Sequence, residues 1–525
     1  MLTHAGDTPD WLAAQAHANP GRLALIAGDV RWTFADLDRR ARRAARQLAA
    51  LGVGEGSRVA VLLRNRAPYV TVTHALTRIG AVLVPLGARL TPAELAWQLS
   101  DASPDALVSE PELTPRAVAA ARVLPSVVLV SVGGRPPGLD ARVFELDETA
   151  EADVPLRDRV DLDSVQGLVY TSATSGRPKG VLLTYGNHWW SAIGSALRLG
   201  LRSDDRWLAP LPLSHVGGLA VVWRSVIYGT AMVLHDAFDP AAVNREIDDG
   251  DISIASLVAV MLERVLAARQ GRPFPPRLRC ILLGGGPIPT GLLAACGRAG
   301  VPVAATYGLT EAASQVATLS PDDAARKPGS AGPPLLPTRV RIDVGGRRGA
   351  AGEVGEILVA GPTVMRGYAG RPDETRRILH DGWLRTGDMG YLDSDGDLFV
   401  VDRRDDLIIT GGENVYPAEV EAVLREHPAV ADAAVVAVPD RVWAQAVGAA
   451  VVLRTGASAS IEDLRRFAGS RLAQYKLPRY VWLVDTLPRS PGGKLLRRSI
   501  RQRIADENPS GSADPGEQGK PTSSG

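Results

Sequence analysis

The alternation of apolar, strand-length segments with helical segments constrains the fold of this chain most strongly. The strand-length segments are 59–63, 81–86, 126–132, 167–170, 231–234, 280–283 and 301–305. A helix is predicted over 33–52, where Thr33 and Asp36 form a capping box and Gly52 ends the pattern. This alternation predicts mainly parallel sheets covered by helices, with ligands bound where strands end and loops begin.

The sequence pattern changes near residue 340 and again near residue 402. Short strands and turns dominate 340–401, and the charged cluster 402–406 is followed by helical segments at 417–427 and 461–472 and strands at 433–438, 446–453 and 480–484. A chain of 525 residues is also too long for a single hydrophobic core. We therefore predict an α/β protein whose large N-terminal domain (1–401) combines helix-covered, mainly parallel sheets with a small β-rich subdomain. A hinge (402–406), a smaller mobile α+β domain (407–505) and a disordered tail (506–525) are expected to follow.

Bulk composition excludes several functional classes and draws attention to lysine. The net charge of +1 favours neither nucleic acid nor an acidic membrane as a partner. The N-terminus lacks a signal-peptide pattern and no apolar run could span a bilayer, so a cytoplasmic enzyme is expected. Only five of the 59 Lys and Arg residues are lysine, which makes each one a candidate for a role that arginine cannot fill. Surroundings favour Lys179 and Lys494 for such roles, whereas Lys327 and Lys520 are expected to be ordinary surface residues and Lys476 to be structural or weakly functional.

Segment 171–180 has the composition of a phosphate-binding loop. It follows a predicted strand and contains four hydroxyl residues, a glycine and one of the rare lysines. Hydroxyl groups, free backbone N–H groups and one ammonium suit a polyphosphate. It is not a Walker A loop, which requires Gly-x4-Gly-Lys-[Ser/Thr] before a helix. The candidate binding residues are Thr171, Ser172, Thr174, Ser175, Gly176 and Lys179.

Residues 170–181 resemble the signature of the adenylate-forming superfamily, which includes acyl- and aryl-CoA synthetases, peptide-synthetase adenylation domains and firefly luciferase. The usual pattern, Tyr-Thr-Ser-Gly-Thr-Thr-Gly-x-Pro-Lys-Gly, is altered at Ala173 and Ser175. Because alanine has less backbone freedom than glycine, we expect altered loop mobility or pyrophosphate release. The resemblance covers nearly the whole chain up to the tail. It implies ATP, Mg²⁺, CoA and a carboxylic acid as ligands, no prosthetic group, and a homodimer as a family expectation.

Further motifs follow in the family order, and the resemblance implies a role for each. The implied contacts to ATP beyond the loop come from Gly284, Gly285, Tyr307, Gly308, Asp388 and Arg403. The implied catalytic residues are Lys494, His215, Thr310 and Glu311, with Glu311 also holding Mg²⁺. The implied substrate-binding residues include His215 and Gly286, the implied hinge pivot is Asp405, and the implied CoA tunnel includes Gly411, Gly412 and Glu413. Taken alone, His215 on an apolar run would more often be a packed core residue.

The implied activity is that of an acid–CoA ligase acting through an acyl adenylate. Segments 185–188, 207–228 and 306–318 resemble the ligases of menaquinone biosynthesis that act on o-succinylbenzoate. Because that acid is a dicarboxylate, its non-reacting carboxylate favours a cation, and charge matching selects Arg224. An arginine on a helix surface or in a structural ion pair is the alternative interpretation. Ser314 and Gln315 are expected to offer hydrogen bonds nearby.

Two other functions stay open at this point. The first is a medium- or long-chain fatty acyl-CoA, or aryl-CoA, synthetase, whose pocket would be apolar and would lack a buried cation. The group that acts on o-succinylbenzoate usually carries Pro-Thr where this chain has Ala259-Val260, so the pocket shape is expected to differ. The second, of another class, is a stand-alone adenylation or adenylate-binding domain that serves a carrier protein, although the tail carries no carrier motif.

Overall fold

The computed structural model describes residues 6–90, 92–136, 143–171, 178–286, 288–324, 326–403, 408–410, 413–415, 417–440, 444–472, 474–490 and 495–507, a few of them by their backbone alone. Contacts divide the chain into two compact units. The larger comprises Met1–Thr386 and Gly390–Val400, and the smaller comprises Gly387–Met389 and Val401–Gly525. Among the described residues, no helix is both long enough and apolar enough to cross a membrane.

The larger unit contains most of the regular elements. Its strands, the last two of which also enter the smaller unit, are β1 Asp7–Pro9, β2 Leu23–Ala27, β3 Val30–Thr33, β4 Arg58–Leu62, β5 Val82–Pro85, β6 Ala106–Ser109, β7 Val128–Ser131, β8 Val143–Glu145, β9 Arg159–Asp161, β10 Val165–Tyr170, β11 Gly180–Thr184, β12 Arg206–Ala209, β13 Ala231–Leu234, β14 Ile254–Leu257, β15 Cys280–Leu283, β16 Val303–Leu309, β17 Ser314–Thr318, β18 Arg339–Val344, β19 Arg347–Arg348, β20 Gly355–Ala360, β21 Gly367–Tyr368, β22 Leu379–His380, β23 Trp383–Leu392 and β24 Leu398–Arg403. Its helices are α1 Trp11–Ala18, α2 Phe34–Ala50, α3 Ala67–Ile79, α4 Pro92–Ala102, α5 Thr114–Ala121, α6 Tyr185–Leu199, α7 Val216–Tyr228, α8 Pro240–Asp249, α9 Ala259–Arg269, α10 Thr290–Arg298 and α11 Pro372–Ile378.

Two eight-stranded sheets form the framework of this unit, in the orders β21-β11-β10-β5-β4-β6-β7-β8 and β17-β16-β15-β14-β12-β13-β2-β3. Neighbouring strands are parallel throughout, except at β11 and β21 in the first sheet and at β17 and β3 in the second. Because both faces of these parallel strands are buried, their sequences read as continuous apolar runs rather than alternating ones. The predicted helix-covered, mainly parallel sheets are confirmed.

The main core lies between the two sheets. It joins Val59 and Val61 of the first sheet to Trp207 and Met232 of the second through helices α2, α3, α6 and α7. Helix α2 forms where expected, because the Thr33 hydroxyl accepts a hydrogen bond from the Asp36 backbone N–H while the Asp36 carboxylate accepts one from the Thr33 backbone. Separate clusters cover the outer faces, α4 and α5 on the first sheet and α8, α9 and α10 on the second.

A smaller, mainly antiparallel sheet forms the predicted β-rich part, in the order β19-β18-β20-β23-β22 with β24 beside β23. Three carboxylates of the turn before β24 bind the ammonium of Lys327. Its Nζ lies 2.7 Å from Asp393, 2.7 Å from Asp395 and 2.9 Å from Asp397. Hydrogen bonds to these three carboxylates raise the pKa of Lys327. The expectation that Lys327 is an ordinary surface lysine is therefore wrong, because its ammonium cross-links two separate segments.

We expect Lys327→Met to lower the melting temperature, because three carboxylates would then face one another without a cation. Millimolar Ca²⁺, a hard cation that takes carboxylate oxygens, is expected to restore much of the loss in this variant and to leave the parent unchanged. Burial raises the pKa of Asp393, but Lys327 outweighs it and the net shift is downward. The difference in melting temperature between variant and parent should therefore persist at neutral pH. It should vanish as the pH falls below about 4, because the carboxylates are then protonated.

The control for this experiment is Arg326→Met. Arg326 adjoins Lys327 in the chain, and its exposed side chain is paired with Asp323. Thermal unfolding of both variants, with and without Ca²⁺, checks the prediction. Equal melting temperatures for the Lys327 and Arg326 variants would contradict it.

The smaller unit is an α+β fold built on one five-stranded sheet. Its remaining elements are β25 Ile408–Thr410, β26 Glu413–Val415, β27 Val430–Asp440, β28 Ala444–Leu453, β29 Tyr480–Leu483, α12 Pro417–Arg425, α13 Ile461–Gly469 and α14 Arg497–Glu507. Helices α12 and α13 cover one face of β27 and β28, while Ile500 and Ile504 of α14 pack on the other face. This packing carries α14 to Glu507, past the start of the tail expected at residue 506. Residues 508–525 lie outside the described part of the chain.

Candidate functional site

Four segments leave the same edge of the second parallel sheet. They follow β12, β14, β15 and β16, which are mutually parallel neighbours, so their carboxyl ends lie side by side. The segment after β12 carries His215, that after β15 carries Gly284–Gly286, and that after β16 carries Thr310 and Glu311. Ligands of open α/β sheets bind at such an edge. The fold thus places three sets of sequence-predicted site residues along one edge.

The β16–β17 hairpin presents Tyr307, Thr310 and Glu311 at the surface of this edge, all partly exposed. Its pairing shifts register between Tyr307 and Gly308, which marks a bulge. A Cβ atom on Gly308 would lie 1.7 Å from the backbone oxygen of Ser314, so only glycine fits there. Ser314 itself has a left-handed φ of 98°. The hairpin tip is therefore held in an unusual backbone conformation that fixes the direction of Glu311.

The Glu311 carboxylate is positioned by Tyr368, a residue that the sequence did not suggest. The Tyr368 hydroxyl donates to Glu311 Oε1 at 2.8 Å, and the backbone N–H of Met365 donates to the Glu311 carbonyl at 2.8 Å. Burial, with the Glu311 charge adding to it, raises the pKa of Tyr368, so the hydroxyl stays protonated and donates. Among the described residues, only Tyr368 donates to this carboxylate, which leaves Oε2 for a cation. The donor set suits Mg²⁺ that takes its other ligands from phosphates and water.

No described group of three or more His, Cys, Asp or Glu residues could enclose a metal ion. A hard cation at this edge would therefore depend on Glu311 together with oxygen atoms of the substrate. Mg²⁺ is commonly held by one or two carboxylates plus substrate phosphates rather than by an all-protein cage. Glu311 is one carboxylate at this edge that could hold Mg²⁺ in that way.

The candidate phosphate loop joins β10 to β11, a strand rather than a helix. Its ends are closed by a hydrogen bond from the Thr171 backbone N–H to the Lys179 carbonyl at 3.0 Å. This antiparallel return is a second difference from a Walker A loop, in which a helix follows the glycines. Lys179 Nζ forms an ion pair with Glu374 at 2.6 Å. Ser172, Ala173, Thr174, Ser175 and Gly176 lie outside the described residues.

Gly284 is required by a close approach between neighbouring strands. A Cβ atom there would lie 2.6 Å from Thr306 Cγ2 and 2.9 Å from the Thr306 carbonyl oxygen. Gly285 adopts a φ of 82°, which L residues rarely tolerate, whereas the space around Gly286 is open. The segment 284–286 is therefore a tight turn that also leaves backbone exposed beside the β16–β17 hairpin.

His215 caps the N-terminus of α7 and is exposed, so it is not the packed core histidine that an apolar run would suggest. The preceding segment is anchored to the first half of the unit. Asn65 donates to the Leu211 carbonyl at 2.7 Å and accepts from the Leu213 backbone N–H at 3.0 Å. The Tyr69 hydroxyl donates to the Leu213 carbonyl at 3.2 Å. These contacts from beyond β4 fix where His215 lies.

Arg224 lies two and a half turns further along α7 and is 2% exposed. No described carboxylate lies within 4.0 Å of its guanidinium, and its Nε and Nη2 atoms are buried without a hydrogen-bond partner. The guanidinium lies over the Trp207 ring, whose centre is 5.2 Å from Cζ. Burial lowers the pKa of Arg224, although an arginine stays protonated at neutral pH. Within the described part of the chain, Arg224 is therefore neither a surface arginine nor a member of an ion pair, which were the two forms of the alternative interpretation.

The surroundings of Arg224 are polar and incompletely paired. His188 of α6 has its pKa lowered to about 3 by burial and, secondarily, by the Arg224 charge, so it is neutral at pH 7. Its Nε2 atom and the Oε1 atom of Gln315 in β17 are also buried without partners. Both α6 and α7 pack against β17, which carries Ser314 and Gln315. Buried polar groups normally have partners, so these atoms mark a place where a polar ligand would be accommodated.

The remaining predicted residues belong to the region where the two units divide, or to the smaller unit. Asp388 is a buried residue of β23, and Arg403 is the last residue of β24, described by its backbone alone. Glu413 begins β26 and is likewise described by its backbone. Asp405, Gly411, Gly412 and Lys494 lie outside the described residues. Their roles stay predictions from the sequence.

Two family models match this chain. The model for the AMP-binding enzyme matches residues 12–369, and the model for the AMP-binding enzyme C-terminal domain matches residues 419–494. A 2-succinylbenzoate–CoA ligase from Geobacillus kaustophilus is 47% identical over 499 residues, which is 94% of this chain and 98% of that protein. A similar ligase from Bacillus cytotoxicus is 42% identical over 95% of this chain and 99% of its own length.

Solved structures agree with this relationship. The o-succinylbenzoate CoA synthetase of Bacillus subtilis, in complex with its acyl-adenylate intermediate, is 40% identical with a TM-score of 0.87, covering 94% of this chain and 98% of that one. A fatty acyl CoA synthetase of Mycobacterium tuberculosis is 31% identical with a TM-score of 0.73, covering 95% and 98% respectively. With a family model matched over most of its length and relatives this similar from end to end, the chain belongs to the AMP-binding enzyme family.

Proposed function

We propose that this chain is an ATP-dependent acid–CoA ligase that converts o-succinylbenzoate, ATP and CoA into o-succinylbenzoyl-CoA, AMP and pyrophosphate. The observation that carries the choice of acid is Arg224, a buried guanidinium without a carboxylate partner in the described protein. Burying an unpaired charge is costly, so a site that retains one is expected to receive the opposite charge from its ligand. The non-reacting carboxylate of a dicarboxylic acid supplies that charge. The activity named for the most similar relatives supports the same choice.

The first half-reaction joins two anions. A carboxylate oxygen of the acid attacks the α-phosphorus of ATP, the bond to the bridging oxygen of pyrophosphate breaks, and an acyl adenylate forms. Because negative charge is concentrated as the two groups meet, catalysis requires fixed positive charge at this point. We assign Lys179 to the polyphosphate, and Lys494 to the carboxylate and α-phosphate oxygens. Mg²⁺, when bound, would neutralise phosphate charge, and Glu311, oriented by Tyr368, is the residue that would hold it.

The second half-reaction replaces AMP by CoA. The CoA thiolate attacks the acyl carbon, and AMP leaves with the electron pair of the broken bond. In this proposal the smaller unit reorients about Asp405 between the two steps, which withdraws Lys494 and delivers Gly411, Gly412 and Glu413 to the CoA channel. The order of the motifs along the chain and the two family models that match it support this assignment.

We expect Asp405→Pro to block thioester formation selectively, because proline fixes φ and restricts the residue before it. Acyl-AMP should accumulate on the variant enzyme when ATP and acid are supplied with CoA. Quenched-flow separation of acyl-AMP and acyl-CoA measures this, with Glu462→Pro as the control for general damage, because Glu462 is an exposed residue in the first turn of α13, where a helix tolerates proline. Failure of the Asp405 variant to accumulate acyl-AMP would contradict the hinge role.

A pyrophosphate-release screen tests the proposed function as a whole. The purified enzyme is given o-succinylbenzoate, benzoates or fatty acids of increasing length, each with and without CoA. We expect o-succinylbenzoate to give the highest kcat/KM and the thioester to form only with CoA. Preference for a fatty acid would favour the fatty acyl-CoA synthetase, and adenylation without transfer to CoA would favour a domain that serves a carrier protein.

We further propose that the enzyme works in the cytoplasm, where ATP and CoA are available, and that it forms a homodimer. Light scattering of the purified protein tests the oligomeric state. A mass of one chain at micromolar concentration would contradict the dimer.

A further inference from the structure

The ammonium of Lys179 is paired with a carboxylate of the protein itself. Its Nζ lies 2.6 Å from Glu374 Oε2 and 5.1 Å from the centre of the Tyr368 ring. Both side chains of the ion pair are about 30% exposed, at 30% for Lys179 and 29% for Glu374, so solvent and small ions can reach them. A phosphate oxygen that binds Lys179 must therefore compete with a carboxylate for the same ammonium.

Hydrogen bonds of the backbone fix the position of the helix that carries Glu374. Strand β21 pairs with β11, with Tyr368 opposite Val181, and the Ala369 backbone N–H donates to the Gly180 carbonyl at 2.9 Å. The Tyr368 backbone N–H donates to the Thr375 hydroxyl at 2.9 Å, which binds the start of α11 to β21. Helix α11 therefore holds Glu374 beside Lys179, near the end of segment 171–180.

Glu374 has other cations within reach once Lys179 is taken. Its Oε1 lies 3.6 Å from Arg371 Nε, and its Oε2 lies 3.9 Å from Arg377 Nη2. These distances are longer than that to Lys179, so the arginines are secondary partners at present. A released carboxylate would move toward them and would keep a counter-charge.

We propose that Glu374 is an internal competitor of the polyphosphate, which occupies the Lys179 ammonium in the nucleotide-free enzyme and exchanges for β- or γ-phosphate oxygens when ATP binds. This inference rests on the proposed function, because it requires Lys179 to bind phosphate. Glu374 is a positioning residue that holds the Lys179 ammonium, and it sets the affinity for ATP without contacting the reacting atoms. The same pair reforms as pyrophosphate leaves, which favours product release.

Glu374→Gln tests the exchange, since it keeps the size and hydrogen-bonding capacity of the side chain and removes its charge. The expected result is a Kd for ATP and for pyrophosphate about two- to five-fold lower, the range for a partly exposed ion pair. The Kd for AMP, which lacks the β- and γ-phosphates, should not change. Isothermal titration with Mg²⁺ present measures all three ligands on the full chain.

Asp373→Asn is the matched control. Asp373 precedes Glu374 on α11, its side chain is 88% exposed, and its ion pair is with Arg376 of the same helix. This variant should bind ATP like the parent, which separates loss of the specific pair from a general change in local charge. High salt should shrink the effect of Glu374→Gln, because salt screens an exposed pair.

Unchanged or weaker ATP binding by Glu374→Gln would overturn the exchange. Lys179→Ala separates this failure from a failure of the proposed function. If Lys179→Ala weakens ATP binding while Glu374→Gln has no effect, only the exchange is wrong. If Lys179→Ala leaves ATP binding intact, the phosphate role of Lys179 is wrong as well. In the double variant, Glu374→Gln should lose its effect, because its action passes through Lys179.

Discussion

Replacing Arg224 by methionine is expected to raise the KM for o-succinylbenzoate by about 100-fold, since losing one partner of a buried charge pair costs roughly 3 kcal/mol. The same change should make the ligand-free enzyme more stable, because methionine fills similar volume without a buried, unpaired guanidinium. These two effects in opposite directions distinguish a ligand-binding arginine from a structural one. Steady-state kinetics with o-succinylbenzoate, together with thermal unfolding in the absence of acid, measures both.

Arg269→Met supplies the matched control for this experiment. Arg269 is also 2% exposed, but its Nη2 lies 2.8 Å from Asp248 and its Nη1 lies 2.9 Å from Asn244. Its loss should destabilise the protein by about 1–3 kcal/mol and leave the choice of acid unchanged, because the buried Asn244 Oδ1 atom would lose its donor. An unchanged KM in Arg224→Met, or destabilisation equal to that of Arg269→Met, would contradict the role of Arg224.

Selectivity offers a further measure of the same residue. An analogue of o-succinylbenzoate that lacks the non-reacting carboxylate should be a poor substrate of the parent, because binding it would leave Arg224 buried and unpaired. In Arg224→Met the two acids should approach equal kcat/KM. A large preference for the dicarboxylate that survives the substitution would place its recognition elsewhere.

Lys494→Ala is expected to slow adenylate formation by about 100- to 1,000-fold, the usual cost of removing one group that stabilises charge in a transition state. Thioester formation from preformed acyl-AMP should be largely retained, because Lys494 is proposed to be withdrawn during that step. Lys494 lies outside the described residues, so this expectation rests on its motif. Single-turnover measurements of each half-reaction provide the test, and Lys520→Ala in the tail provides the control. Equal losses in both half-reactions would contradict the assignment.

Continuous apolar runs made the two parallel sheets predictable, since strands buried on both faces carry little else. The ends of individual strands and helices were less predictable where tertiary contacts extend them. Strand β16 continues to Leu309 because β17 pairs with it, so residues that read as a loop motif from Thr306 onward are partly strand. Helix α14 reaches Glu507 because Ile500 and Ile504 pack on the sheet of the smaller unit.

The candidate site was predictable where a motif is local and was missed where the fold supplies a partner from afar. Lys179 and Glu311 stand in recognisable motifs, but Tyr368 and Glu374, which hold them, come from a two-residue strand and a short helix that carry no periodic signal. For Arg224 the sequence revealed the residue but not its environment. Its charge was evident from the sequence, but the lack of a carboxylate partner among the described residues depends on burial between helices and strands that are distant along the chain.

The return of the phosphate loop through strand β11 has a consequence for how nucleotide affinity can be controlled. A helix at that point would offer the phosphates a permanent dipole, which neither pH nor chemical modification can remove. Here the positive charge beside the loop in the described chain resides in a side chain, the Lys179 ammonium. Acylation of that amine would abolish its charge. Under the proposed role of Lys179, a single covalent event would set the affinity for nucleotide, and protection of Lys179 from amine-acylating reagents by ATP would report that role directly.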